Sequence, residues 1–232
     1  GGNKHGIYVE DINNIRILNS VISYNGNEDD MIGGTGGNGG GIGITRNQSN
    51  DVSGGLLSNL RVHNNFANNG GGIRIYAQDD IIVDNVIVYN NNAYISGGGI
   101  SIGERPAYIS NSLIYNNSAG FNGSGIFFND TDSELNNCSI WNNYSDNCES
   151  IELYQYSGIT ITNSIINNGI DLNGYPASLI ISYSNIYGGQ ETITGLDNDE
   201  SSFNWGQGNI DSNPLFADTS NGDYHLQSTS PC

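Results

Sequence analysis

Positive charge is what this chain most plainly lacks. Of 232 residues only 6 are Lys or Arg, against 24 Asp and Glu, and Lys4 is the single lysine. A net charge of −18 repels a phosphate backbone or an anionic lipid surface, so no nucleic acid is expected as a partner, and strongly polyanionic substrates are disfavoured. Long apolar runs are missing as well. Nothing nears the roughly 20 residues that cross a bilayer, and no basic start leads into an apolar core as in a secretory signal, so no membrane insertion is expected. The 3 cysteines, Cys138, Cys148 and Cys232, are too few for a disulfide framework and leave the redox compartment open. The opening "GGNKHGIYV" and the closing "STSPC" read as interior stretches, so a mature or excised part of a longer protein is expected.

What is abundant is glycine, at about twice its usual share, and asparagine, and both recur on a period. The frames "NVIVYNN", "NSLIYNN" and "NCSIWNN" begin at Asn85, Asn111 and Asn137, and Asn59 and Asn163 extend the series at the same interval of 26. Asn19 heads another copy, whose longer interval is accounted for by the insertion "GNEDDMIGGTGGN" at 26–38, and "YSNIYGG" from Tyr183 is a weaker one. A glycine motif keeps step: "GGGIGI", "GGGIRI", "GGGISI", "GSGIFF", then the diverged "ESIEL". Self-similarity at this period marks a solenoid. Each unit reads as glycine turn, short strand, loop, strand, Asn corner, strand and Asn pair, with no helical periodicity.

Alternation assigns the core. Ile17, Leu57, Val83, Ile109, Leu135 and Ile161 lie two places before each anchor; Ile22, Val62, Val88, Ile114, Ile140, Ile166 and Ile186 lie three places after. Ile73, Ile75, Ile100, Ile102, Ile126 and Phe128 on the glycine strands form another wall, and Ala67, Ala93, Ala119 and Ser145 a small inward corner. Units that bury a face only against their neighbours, with three short strands per turn, make a parallel β-helix. The expected fold is therefore all-β, a right-handed parallel β-helix solenoid of about seven coils and roughly 34 Å of stack. Hexapeptide spacing, the mark of the left-handed form, is absent, and a propeller blade needs about 40 residues. The coils are expected over 1–187, with 188–232 a capping segment of the same domain.

On the repeats "NNNAYISGGGISI" and "NNSAGFNGSGIFF", and on the tail "YSNIYGG" followed by "GNIDSNPLFADTSNGDYHLQSTSPC", the chain resembles the right-handed parallel β-helix repeat proteins of the pectate-lyase-like superfamily, in particular the secreted and cell-surface bacterial type. The resemblance spans essentially the whole chain. It implies an extracellular or cell-surface setting and a link to polysaccharide, but no activity, since the fold hosts lyases, hydrolases, adhesins and passive stalks. No lyase or hydrolase motif is matched, and no catalytic residue is carried over.

The anchors Asn19, Asn59, Asn85, Asn111, Asn137 and Asn163, and a second corner of Asn64, Asn90, Asn116, Asn142 and Asn168, are expected to form amide ladders. The fifth place of the motif faces outward and carries His63, Tyr89, Tyr115, Trp141 and Tyr187, with Ser23 and Asn167 at the same position and Val21, Arg61, Ile87, Leu113, Ser139 and Ile165 two places earlier. Rings that recur at the rung spacing suit a platform for a polysaccharide or cell-surface glycan. The competing readings are plain cross-coil stacking, or a stripe covered by the insertion or by another copy in self-association.

For catalysis, Arg74 with Asp79 and Asp80 is the best local constellation, since lyase chemistry needs a base beside a neutralised carboxylate, while Asp130, Asp132 and Glu134 form only a loose loop cluster. No cofactor is required. Oxygen ligands in "NEDD" (27–30) and at Asp197, Asp199 and Glu200 would suit Ca²⁺, without matching a known calcium loop, and incidental surface acidity is the competing reading. His5, His63 and His225 show no zinc spacing. Cys138 takes an inward position, so a buried free thiol is expected there in preference to a bridge, with pairing to Cys148 the alternative. The leading expectation is a noncatalytic stalk or adhesin-like module with weak glycan binding on the stripe; a polysaccharide lyase or glycoside hydrolase, and a self-assembling structural repeat, are the alternatives.

Overall fold

The computed structural model of the chain describes residues 5–26, 37–45, 54–76, 80–173, 176–197 and 200–232. It is a parallel β-helix. One sheet stacks eight strands in chain order, from Ile7–Glu10 through Ile42–Thr45, Ile73–Tyr76, Ile100–Gly103, Ile126–Asn129 and Ile151–Tyr154 to Ile170–Asn173 and Ile193–Thr194. The Asn-anchored strands build a second sheet of 12, and Phe66–Asn69, Asn92–Ser96 and Ser118–Ala119 a small third. Every pairing among these is parallel and in step with the repeat: Ile100 pairs with Ile73 and Ile126, and Tyr115 with Tyr89 and Trp141. The insertion at 26–38 lies largely outside the described residues.

The alternation read from sequence is the core of the molecule. The two anchor-flanking columns are buried from Ile17 at 8% exposure to Leu57 at 0%, and Ile73, Ile100, Ile126 and Phe128 are sealed at 0%. Ala67, Ala93 and Ala119 are buried, while Ser145 is half-exposed. At about 25 cal/mol per Å², each sealed Ile or Leu contributes on the order of 2 kcal/mol.

The corners turn on left-handed backbone. Asn19, Asn59, Asn85, Asn111, Asn137 and Asn163 all have φ between 50° and 56°, and Tyr183 takes the same conformation at 50°. Asn reaches this region at less cost than other residues with a Cβ, which is why it marks each corner. The anchor amides link along the axis only in pairs, Asn85 Nδ2 to Asn59 Oδ1 at 2.6 Å and Asn137 Nδ2 to Asn111 Oδ1 at 2.7 Å, on the exposed surface, while Asn111 and Asn163 donate to Asp84 Oδ1 and Asn136 Oδ1 at 2.7 and 2.9 Å.

The second ladder differs from the expectation by one residue. Asn64, Asn90, Asn116 and Asn142 supply the turn, with φ of 53° to 57°, and make one of the expected links on the surface, Asn142 Nδ2 to Asn116 Oδ1 at 2.9 Å, while the buried ladder is built by the residues that follow them. Asn65 Nδ2 donates to Asn91 Oδ1, Asn91 to Asn117 and Asn117 to Asn143, all within 2.9–3.0 Å. Each of those carbonyls also accepts the backbone N–H one coil earlier, and each amide donates again to a strand carbonyl, as Asn91 does to Val62 O at 2.9 Å. Turning the chain out of the strand rotates the second Asn of the pair inward, so the first carries the dihedral and the second the hydrogen bonds.

The last coils are shorter. Glu152 pairs with Asp171 after an interval of only 19, and Tyr183 follows Asn163 by 20. Asn167, expected to face outward, is instead buried at 8% and accepts the Asn142 N–H at 2.7 Å. Beyond the coils, Ser202–Trp205 adds a final parallel strand whose Phe203 and Trp205 pack on the core, and Phe216–Asp218 pairs antiparallel with Asp223–Leu226 as a C-terminal hairpin. All 3 cysteines are free thiols, with Cys138 buried and its thiol pushed up to about 11 by burial.

Candidate functional site on the outer face of the Asn-anchored sheet

Parallel in-register strands bring equivalent side chains to one rung spacing, about 4.8 Å, and flat rings at that spacing stack. His63 lies on Tyr89 at 4.6 Å with 16° between planes, and Tyr89 on Tyr115 at 5.0 Å with 2°. These three rings cover one another's faces and turn their edges outward. Tyr24 meets His63 edge-on at 5.8 Å. Burial, with Arg61 nearby, holds the His63 imidazole below its usual range.

At Tyr115 the hairpin takes over. Its Tyr224 ring packs against Tyr115 at 4.6 Å, and its Phe216 stands edge-on to Trp141 at 5.1 Å. Phe216 and Tyr224 touch each other at 5.2 Å, and Trp141 also meets Tyr187 at 5.7 Å. Two of the five rings of the stripe, Tyr115 and Trp141, are therefore packed against from within the same chain. The Tyr224 hydroxyl is buried without a hydrogen-bond partner, and burial followed by the neighbouring Tyr115 pushes it up to about 12.

Beside this aromatic column, between sheet and hairpin, lie two adjoining hollows of about 590 and 670 Å³. Arg61, Ile87, Leu113 and Ser139 floor the first; Ser139 and Ile165 continue the floor of the second. Asn137, Ser139, Tyr224 and His225 belong to both, so the strand Asp223–Leu226 crosses where they meet. In a chain with 24 carboxylate residues, no Asp or Glu lines either hollow among the described residues. His225 stands at the rim with its Nδ1 2.6 Å from Asp223 Oδ1.

Arg74 and Asp80 are not brought together. Arg74 lies on the outer face of the eight-stranded sheet, its guanidinium carbon 3.9 Å from the Tyr76 ring centroid, and its Nε is buried without a partner. Asp80 sits at the entry to Ile81–Tyr89 on the other sheet, beside the exposed Tyr108, whose phenol it raises. Asp79 lies outside the described residues, as do Asp199 and "NEDD". Asp197 and Glu200 are exposed, and among the described residues no three His, Cys, Asp or Glu side chains gather to hold a metal.

Sequence reasoning passed over Glu152. It occupies the column of Arg74, Ser101 and Phe127, which alternates with the inward Ile73–Ile75, Ile100–Ile102 and Ile126–Phe128 positions and so faces outward, yet Ser101, Phe127 and Glu152 are 1%, 6% and 1% exposed. The glycine turn folds back over them. Gly97, at φ 64°, lies so close that a Cβ there would come within 2.7 Å of Ser101 Cβ. Glu152 accepts from Gly123 N at 3.0 Å and Asn173 Nδ2 at 2.7 Å, and burial, with Asp171 adding to it, pushes its carboxyl up to about 7. Both oxygens are engaged inside the protein, which makes it a link between three coils. Compared with known proteins, the chain matches no family model, no curated protein and no solved structure.

Proposed function

We propose that this chain is a noncatalytic β-helix module of a secreted or cell-surface protein, and that it binds glycan in the groove beside the aromatic column. The observation that carries this reading is the groove itself. It is half apolar and half polar, lined by Tyr115 and Tyr224 and by Asn111 and Asn137, and among the described residues no Asp or Glu lines it on a strongly acidic protein. Hydroxyl-rich rings need that combination of apolar surface and neutral hydrogen-bonding groups. The platform of bare ring faces gives way to a groove, because the rings use their faces on each other. The extracellular setting rests on the resemblance of the repeats and the tail. The enzyme reading finds less support: Arg74 and Asp80 stand on different sheets, and the near-neutral carboxyl of Glu152 is sealed.

Affinity electrophoresis in gels cast with xylan, glucomannan, laminarin or alginate tests the proposal. Retardation in at least one gel is expected, with loss of retardation in Ile87→Asp, which puts a charge on the groove floor without touching the core. Unretarded migration in every gel sinks the glycan reading, and release of unsaturated or reducing ends from any of these polymers would favour an enzyme.

A further inference from the structure

Within the aromatic column one tyrosine follows another directly only at Tyr89 and Tyr115, since His63 precedes them in register and Trp141 follows. The repeat sets one phenol on the next. Their planes lie 2° apart with centroids at 5.0 Å, so the rings are parallel, offset and in contact, and both side chains are half-exposed. Two phenoxyl radicals join from this arrangement: they meet face to face, and the unpaired density at the carbons ortho to oxygen closes a C–C bond. The surroundings disfavour the other phenols. Tyr224 also touches Tyr115, at 4.6 Å, but its ring is 47° from parallel and its hydroxyl is sealed without a hydrogen-bond partner. A phenol loses an electron readily only as it loses its proton, and nothing stands there to take it. Tyr24 is 75% exposed, but among the described residues its ring meets only His63, edge-on. A radical on Tyr24 waits for a second molecule, whereas Tyr89 and Tyr115 are held together at high effective concentration.

We infer that Tyr89 and Tyr115 form a site of oxidative modification, at which a haem peroxidase supplied with hydrogen peroxide couples the two rings into a dityrosine that staples one coil to the next. The step balances. Each phenol gives one electron and one proton, the peroxide takes both pairs and leaves as two waters, and the two radicals join through a new bond between one Cε carbon of each ring. The hydrogens on those carbons then pass as protons to the two oxygens, which restores both phenols. The chain ends lighter by two hydrogen atoms. Because the joined positions are 26 residues apart, the staple closes a loop that the unfolded chain must carry, and this restricts the unfolded state. The inference is independent of glycan binding.

Treatment of the full chain, kept dilute, with a haem peroxidase and a small excess of hydrogen peroxide tests this. The expected product is a monomer on a denaturing gel, lighter than the parent by two hydrogens, with dityrosine fluorescence and a link that fragment-ion sequencing places between Tyr89 and Tyr115. Tyr89→Phe keeps the stacked ring and should lose the product; Tyr224→Phe should keep it. The oxidised parent is expected to unfold at a higher urea midpoint than the untreated chain, a gain that treated Tyr89→Phe lacks. The mapped link in the parent decides the matter even where a variant fails to fold. No lighter monomer, covalent dimers in its place, a link mapped to any other pair, or the same product from Tyr89→Phe overturns the inference.

Discussion

Asn91 and Asn90 are adjacent and identical in chemistry, yet the fold uses them for different things. Asn90 holds a left-handed corner at φ 53° and is exposed; Asn91 is 1% exposed and engages the side chains of Asn65 and Asn117 and the carbonyl of Val62. Replacing Asn91 by Ala would strand several buried donors and acceptors, each costing about 1–3 kcal/mol, so a loss of at least about 3 kcal/mol is expected in denaturant unfolding. Asn90→Gly, which keeps the dihedral at no steric cost, should change stability by under about 1 kcal/mol. Equal effects at the two positions would contradict this division of labour. The sequence could show that Asn recurs in pairs, and hence that corners exist. It could not show which member points inward, because that depends on how far the left-handed residue swings the chain.

At the scale of strands and turns, Glu152 is the element-joining residue that the repeat period concealed. Its neighbour Asp171 comes early, well inside a full period, so a strict repeat places a serine where a carboxylate stands. The link ties the Gly123 turn, the strand Ile151–Tyr154 and Asn173 of the next strand, at the cost of a buried carboxyl with Asp171 and Glu149 nearby. Its folded-state pKa, about 7, is raised above the ordinary value of 4.5 that the unfolded chain would show. The folded state therefore holds the proton more tightly: the group costs nothing at low pH, and stability falls as pH rises between those values, by on the order of 3 kcal/mol. Glu152→Gln can keep both hydrogen bonds once the Asn173 amide is turned. Relative to the parent it is expected to match at pH near 4 and to be more stable near pH 8 in urea unfolding; lower stability near pH 8 would show that the ionised carboxylate is needed. The hairpin was not read from the sequence, which marked 188–232 only as a capping segment, although "FADTSNGDYHL" places apolar residues either side of a turn at Gly222, φ 76°. Its docking on Tyr115 and Trp141 was not legible either, because the ring contacts join positions far apart in the chain with no periodic signal between them.

For the molecule as a whole, a solenoid is nearly a one-dimensional object, and this is why so much of it could be read in advance. Core columns such as Val83–Ile109–Leu135–Ile161 follow from the period alone and are buried throughout. Function does not follow in the same way, because it depends on what covers the solenoid's outer faces. Glycine turns seal the face holding Ser101 and Glu152, whereas the hairpin only bridges the face holding Ile87, Leu113 and Ser139. On this acidic chain the two hollows beside the hairpin are lined without Asp or Glu among the described residues, and the proposed binding groove lies there. Amide chemical-shift mapping of the full chain, titrated with the oligosaccharide that the gels select, tests this claim most directly. Shifts are expected along the column Arg61, Ile87, Leu113, Ser139 and Ile165 and in residues 222–226. Shifts confined to the strands around Arg74 and Ser101, on the other sheet, would contradict it.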